Sequence, residues 1–172
     1  YNRLVSLEEN VNGTWSQVEN QYQRRMDLIP NLVEVVKGYA RHEKETFQNV
    51  AEARASAGKL EITPEVFNNP EMMQRFQEAQ GALSSALSRL MAVAERYPDL
   101  KANQNFLALQ DQLEGTENRI SVERRRFNEA VRQYNTTIRK FPTVLIAGMM
   151  GFEKKVYFKS EAGASSAPKI SM

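Results

Sequence analysis

The chain has 172 residues, a net charge of +2, 41% hydrophobic and 26% charged residues, and no cysteine. That length suffices for one domain with a buried core, and the charge is too small to draw nucleic acid or an acidic membrane to it in bulk. Lack of cysteine removes disulfides, thiolate chemistry and zinc ribbons together.

From the start, apolar residues recur at Val11, Trp15, Val18, Tyr22, Met26, Ile29, Val33, Val36, Ala40, Phe47 and Val50. Steps of three and four draw one stripe along a helix. Asp27-Leu28-Ile29-Pro30 interrupts it. A proline inside a helix removes a backbone hydrogen bond and clashes with the carbonyl four residues back, costing ~3 kcal/mol. It sits comfortably only in a first turn, with Asp27 as the cap.

A chain that turns back there has helices over roughly 3–26, 28–57, 70–97 and 103–141. A single rod over 3–57 leaves Val11, Trp15, Val18 and Tyr22 without a partner of matching length, and burial of such side chains stabilises by roughly 1.5–3 kcal/mol each. The spacing therefore favours an all-α, elongated antiparallel four-helix bundle. The alternative is three long helices with the first kinked at Pro30, since the stripe reads straight through it.

Gly58 falls where a C-terminal cap is expected. Thr63 before Pro64 suits the cap of one short turn, and Asn69-Pro70-Glu71 is a strong helix start. The next stripe is Met73, Phe76, Leu83, Leu87, Leu90, Val93 and Tyr97, ended by Pro98. The last begins near Asp99 or Asn103. It carries Phe106, Leu109, Leu113, Thr116, Ile120, Phe127, Val131, Tyr134, Ile138 and Phe141, and stops at Pro142. Residues 1–141 thus read as the bundle, 142–159 as an apolar cover segment with a short extension, and 160–172 as a disordered tail.

No apolar run reaches the ~18–20 residues that span a bilayer. The longest, Val144 to Phe152, holds Gly148 and Gly151. It either lies over the bundle end, closing the core, or stays exposed to a partner or a membrane. Core closure is favoured, because glycine and the adjacent Pro142 suit a turn-and-cover segment.

Chemistry-bearing residues are few. His42-Glu43 begins an HExxH pattern, but Thr46 stands where the second histidine belongs. His42 is expected on or beside a solvated helix face. Arg24-Arg25 with Asp27 is a denser charge cluster, either a docking patch for a partner carboxylate or phosphate or, as favoured, capping and pairing at a bend, with Arg24 and Asp27 three apart. Arg124-Arg125-Arg126 point in different directions on a helix and form no single stripe. Glu114 and Glu117 are three apart, but a narrow bundle filled by Leu, Val and Phe offers no concave pocket of the kind that holds catalytic carboxylates. Glu123 falls on an apolar position and calls for an arginine or backbone donors. No phosphate loop, nucleophile elbow or histidine-backed nucleophile occurs. The expectation is therefore no catalytic, cofactor-binding or metal-binding residue and no cofactor, hence a non-enzymatic protein.

The run Trp15-Ser16-Gln17-Val18-Glu19 through Gln23-Arg24-Arg25-Met26-Asp27-Leu28-Ile29-Pro30-Asn31-Leu32-Val33 resembles the signature of the LemA family. So do Val36-Lys37-Gly38-Tyr39-Ala40, Ala53-Arg54-Ala55, Leu87-Ser88-Arg89-Leu90, Tyr97-Pro98-Asp99-Leu100-Lys101-Ala102 and Leu113-Glu114-Gly115-Thr116-Glu117-Asn118-Arg119-Ile120. Tyr134-Asn135 and Phe141-Pro142 match as well. The resemblance implies a bacterial, helical-bundle protein at the cell membrane, anchored once by a helix upstream of Tyr1, with no established molecular function. It also implies a cytoplasmic domain, periplasmic in some relatives. The expected role is a membrane-tethered interaction or scaffold domain with a protein partner or a second copy. Neither nucleic acid nor a small-molecule substrate is expected. The alternative is a lipid-binding domain acting through 144–159, with Lys154, Lys155 and Lys159 at the headgroups.

Overall fold

The computed structural model describes residues 1–60, 64–140 and 143–159. Among these the regular structure is entirely helical: α1 (Asn2–Tyr39), α2 (Lys44–Lys59), a 3₁₀ turn at Pro64–Asn68, α3 (Pro70–Ala94), the single turn α4 (Pro98–Lys101), α5 (Gln104–Arg139) and α6 (Thr143–Met150). The all-α bundle is therefore observed. The Thr63 cap, the helix end at Phe141-Pro142 and the tail from 160 lie outside the described residues.

The first two helices are divided differently from the expectation. No turn occurs at Asp27–Pro30; α1 runs through Pro30 for 38 residues, and the chain reverses at 40–43 instead. The rod does have a matching partner, because α5 is 36 residues long and lies antiparallel along it. Leu4, Val11, Trp15, Val18 and Tyr22 are thereby buried without a turn back. Part of proline's local cost is offset from outside the helix. Pro30 leaves the Met26 carbonyl without its usual donor, and Arg54 Nε on α2 donates to it at 3.4 Å. Gly38, a poor helix former, sits in the last turn of α1 before the actual break. Gly58 is not a cap, since α2 continues to Lys59.

Later boundaries follow local chemistry. Asn69 Oδ1 accepts from the backbone N–H of Glu71 and Met72, with Pro70 in the first turn. Asn103 Oδ1 accepts from Phe106 N–H. Both caps satisfy donors that a helix start leaves open.

Side chains from α1, α3 and α5 meet along the length of the molecule and form two hydrophobic clusters. One joins Leu4–Tyr22 of α1 with the 3₁₀ turn, the start of α3, the second half of α5, Ala147 and Phe158. The other joins Ile29–Ala40 with α2, the second half of α3, Leu100, and Phe106 and Leu113 of α5. In the first, the Trp15 ring centroid lies 5.2–5.7 Å from those of Phe67, Phe76, Phe127 and Phe158.

Residues 152–159 form no regular element, and side-chain amides hold their backbone. Asn135 donates to the Lys155 carbonyl at 2.9 Å and accepts its N–H at 2.8 Å. Asn128 does the same for Phe158 at 3.1 and 2.8 Å, and Gln77 for Lys159 at 2.9 and 3.0 Å. Val156 N–H donates to the Phe67 carbonyl at 2.7 Å. This segment, rather than the apolar run 144–152 that the sequence favoured, covers the core here, since Phe158 is buried. Most of α6 is not: Val144, Leu145, Ile146, Met149 and Met150 are exposed, and Ala147 alone in that helix is buried. Core closure by 144–152 is thus corrected: only Ala147 and, partly, Phe152 of that run pack against the cluster. The backbone bonds of 152–159 carry Phe158 into the aromatic cluster, and α6 is left outside it.

Candidate functional site

The polar feature that separates the two cores centres on Arg25. It points inward from α1 and is 1% exposed. A buried cation calls for a carboxylate and hydrogen bonds, because desolvation costs several kcal/mol; both terminal nitrogens of Arg25 are bonded, while its buried Nε has no partner among the described residues. Nη1 donates to Glu117 Oε1 at 3.0 Å and to Ser84 Oγ at 2.6 Å, and Nη2 donates to the Gln80 carbonyl at 3.1 Å and to Gln80 Oε1 at 2.6 Å. The Tyr22 ring one turn earlier lies 5.3 Å from the guanidinium carbon. One cation thus ties α1, α3 and α5 at one level.

This level opens into a groove of about 540 Å³ between α3 and α5, whose walls include Gln77, Gln80, Ser84, Glu114, Glu117 and Asn118. The sequence-based expectation of no concave pocket is overturned here. The cause is residue size and polarity: Gly81 carries no side chain, and Ser84, Asn118 and Ser121 line positions where a filled core would have Leu or Phe.

The groove's chemistry is limited. Its two neighbouring carboxylates are those flagged by spacing, but Glu117 is engaged by Arg25. His42, the chain's one histidine, is exposed in the turn at the far end of α1. No group of three or more His, Asp or Glu able to hold a metal occurs among the described residues. Arg24 and Asp27 do not form the expected unit: Asp27 accepts from Gln23 and Arg24 lies on a different wall, beside Asp111 and Arg119. Glu123 Oε1 meets Arg126 Nη1 at 3.3 Å, three residues on in the same helix, but its buried Oε2 has no hydrogen-bond partner among the described residues. The three consecutive arginines scatter as helical geometry requires, with Arg124 over the Phe158 ring and bonded to the Lys159 carbonyl.

Two ionisable groups are shifted by burial. Glu19 is held above the ordinary carboxylate range by desolvation. The Tyr134 phenol is pushed up to about 12, by burial first and the Glu8 carboxylate second. Near it Lys155 Nζ lies 2.8 Å from Asn68 Oδ1 and 3.3 Å from Glu8, and over the Phe67 and Tyr134 rings. Lys155 is therefore turned inward and unavailable to headgroups.

Reasoning from spacing set Arg25 in a charge cluster at a bend and missed its burial, Gln80 and the amide clamps. Asn128 and Asn135 stand seven residues apart on one helix face, and that repeat was the available signal. Arg25 carried none, since an arginine beside Arg24 reads as surface.

Several relatives are similar along nearly the whole chain. "Magnetosome protein MamQ 2" of Paramagnetospirillum magneticum is 27% identical, covering 99% of this chain and 68% of that protein. "Magnetosome protein MamQ" of Magnetospirillum gryphiswaldense matches to the same extent. "Protein LemA" of Metamycoplasma hominis is 21% identical, covering 92% of this chain and 68% of that protein. Residues 14–172 match the LemA family, and the chain belongs to that family.

Proposed function

We propose that this domain is a non-enzymatic scaffold held at a membrane, whose outward helix faces bind another protein or a second copy. The observation that carries the reading is the Arg25 layer. The deepest charged group of the groove is consumed by Glu117, Ser84 and Gln80, which brace three helices. A catalytic site instead keeps a poised acid, base or nucleophile open to substrate. A braced rod with α1 of 38 residues, ~57 Å at 1.5 Å per residue, suits holding partners apart or in line. The membrane part draws on the family resemblance and on the apolar α6, since no helix among the described residues is long and apolar enough to cross a bilayer.

Site-specific photo-cross-linking in intact cells, from exposed positions on α1 and α5, tests this. One defined partner or a self-adduct at adjacent positions is expected, lost when that face is charge-reversed. Adducts to lipid alone from every position sink the scaffold reading. A second reading, action on lipid through residues 144–159, is favoured by the exposed side chains of α6.

A further inference from the structure

The exposed helix α6 has an unusual distribution of apolar side chains. At ~100° per residue, Val144, Leu145, Met149, Ile146 and Met150 cover about 240° of its circumference. Met149 is 86% and Leu145 59% exposed, against 3% for Ala147, which faces the bundle. No charged residue occurs from 143 to 152.

The breadth of that surface discriminates between occupants. A protein groove takes one apolar stripe of ~100° from a helix, which would leave more than half of these side chains wet. An eight-residue helix also falls short of the ~800 Å² per partner that a stable interface buries. A fluid hydrocarbon closes around the helix from every side. Exposed basic residues rim the position: Arg139 and Lys140 just before α6, Lys154 just after, and Arg3 in the first turn of α1. Glu153 is the one acid between Lys140 and Lys155. Tyr1 is exposed at the same end, its ring edge-on to Phe152 at 6.3 Å.

We propose that α6 is a bilayer-insertion tip, with Leu145, Met149 and their neighbours entering the acyl boundary of an anionic membrane and the basic rim meeting its headgroups. This deepens the lipid reading given under the proposed function, and it names the insertion element and the lipid class. The net charge of +2 is too small for bulk attraction, so apolar insertion carries the affinity and the local cations set the preference for anionic lipid. The α1 start would then lie at the surface, with the rod directed away from it.

The test is flotation of the purified 172-residue chain with phosphatidylcholine vesicles, with and without phosphatidylserine. Binding is expected to both, stronger by about tenfold or more with phosphatidylserine. The pair Leu145→Asp and Met149→Asp should weaken it ~100-fold or more. Lys140→Glu with Lys154→Glu should remove only the phosphatidylserine preference. Both pairs lie on the exposed surface, so thermal midpoint and Trp15 fluorescence are expected to stay at wild-type values. Failure of the wild-type chain to float overturns the proposal. So does flotation that survives both aspartates, or sedimentation showing a dimer that the aspartates dissociate without any vesicle binding. Fractionation of cells tests membrane residence separately: a fully soluble native protein removes the membrane-held scaffold and leaves vesicle insertion to stand or fall alone.

Discussion

The two cores are closed by different means. Around Ile29–Ala40 the packing is chiefly aliphatic: Leu32, Val36, Val50, Leu83, Leu87, Leu90 and Val93 meet as successive helical positions. Its lid is a regular helix, α2, with Phe47 and Val50 turned inward and Lys37 over the Phe47 ring. Around Trp15 the packing is aromatic, and the lid is irregular: a 3₁₀ turn supplies Phe67 and an extended segment supplies Phe158. A helix satisfies its own backbone, so its lid needs only apolar side chains. An extended segment does not, and Asn135, Asn128 and Gln77 must complete it from outside. The core around Trp15 therefore depends on amide side chains reaching its lid from other elements, whereas the core around Ile29–Ala40 is covered by a helix that needs none.

That contrast can be broken in several ways. The largest effect is expected from Trp15→Ala, which removes the ring touching all four phenylalanines and should cost ~3–5 kcal/mol in chemical denaturation followed by circular dichroism. A loss near 1 kcal/mol would mean the aromatic cluster is loosely packed. Arg25→Ala is expected to cost ~3 kcal/mol, because it leaves the buried Gln80 acceptors and Ser84 without their donor at the level that joins the cores, while Glu117 remains partly in solvent. The pair Arg25→Met with Glu117→Leu should recover most of that loss. Recovery with wild-type partner binding would show that the ionic layer is structural support, and recovery with lost binding would give the groove a recognition role.

Phe158→Ala sharpens the comparison, with an expected loss of ~3 kcal/mol. Amide hydrogen exchange should accelerate across residues 4–22 and 127–138 and stay unchanged in α2. Uniform acceleration would show that the two cores open together. The smallest effect is alkaline. The folded Tyr134 pKa, about 12, lies above its ordinary 10.0, so its contribution is complete below pH ~10 and is lost as pH rises toward ~12. Stability should fall across that window, and Tyr134→Phe should flatten the fall; an unchanged slope would assign the loss to other tyrosines.

The helices at Pro70–Ala94 and Gln104–Arg139 were legible because caps and stripes agree there: Asn69-Pro70-Glu71 and Asn103 are local signals, and local signals survive into the fold. At Pro30 they competed. Proline chemistry argued for a turn and the unbroken stripe for a rod. The outcome was set by α5, whose length matches α1, and by Arg54, which reaches the Met26 carbonyl from another helix. Neither is visible from residues 27–30.

The groove was illegible for a related reason. A buried Arg25 and an exposed one have the same sequence neighbourhood, and only the approach of Gln80, Ser84 and Glu117 distinguishes them. Spacing alone thus determined that the chain is all-helical and which faces are apolar, because side-chain direction repeats every 3.6 residues whatever the partners are. Tertiary structure decided where α1 ends, which charge is buried and which apolar segment remains outside. Those outcomes depend on long-range partners for Met26, Arg25 and Phe158, and chain periodicity carries no record of them.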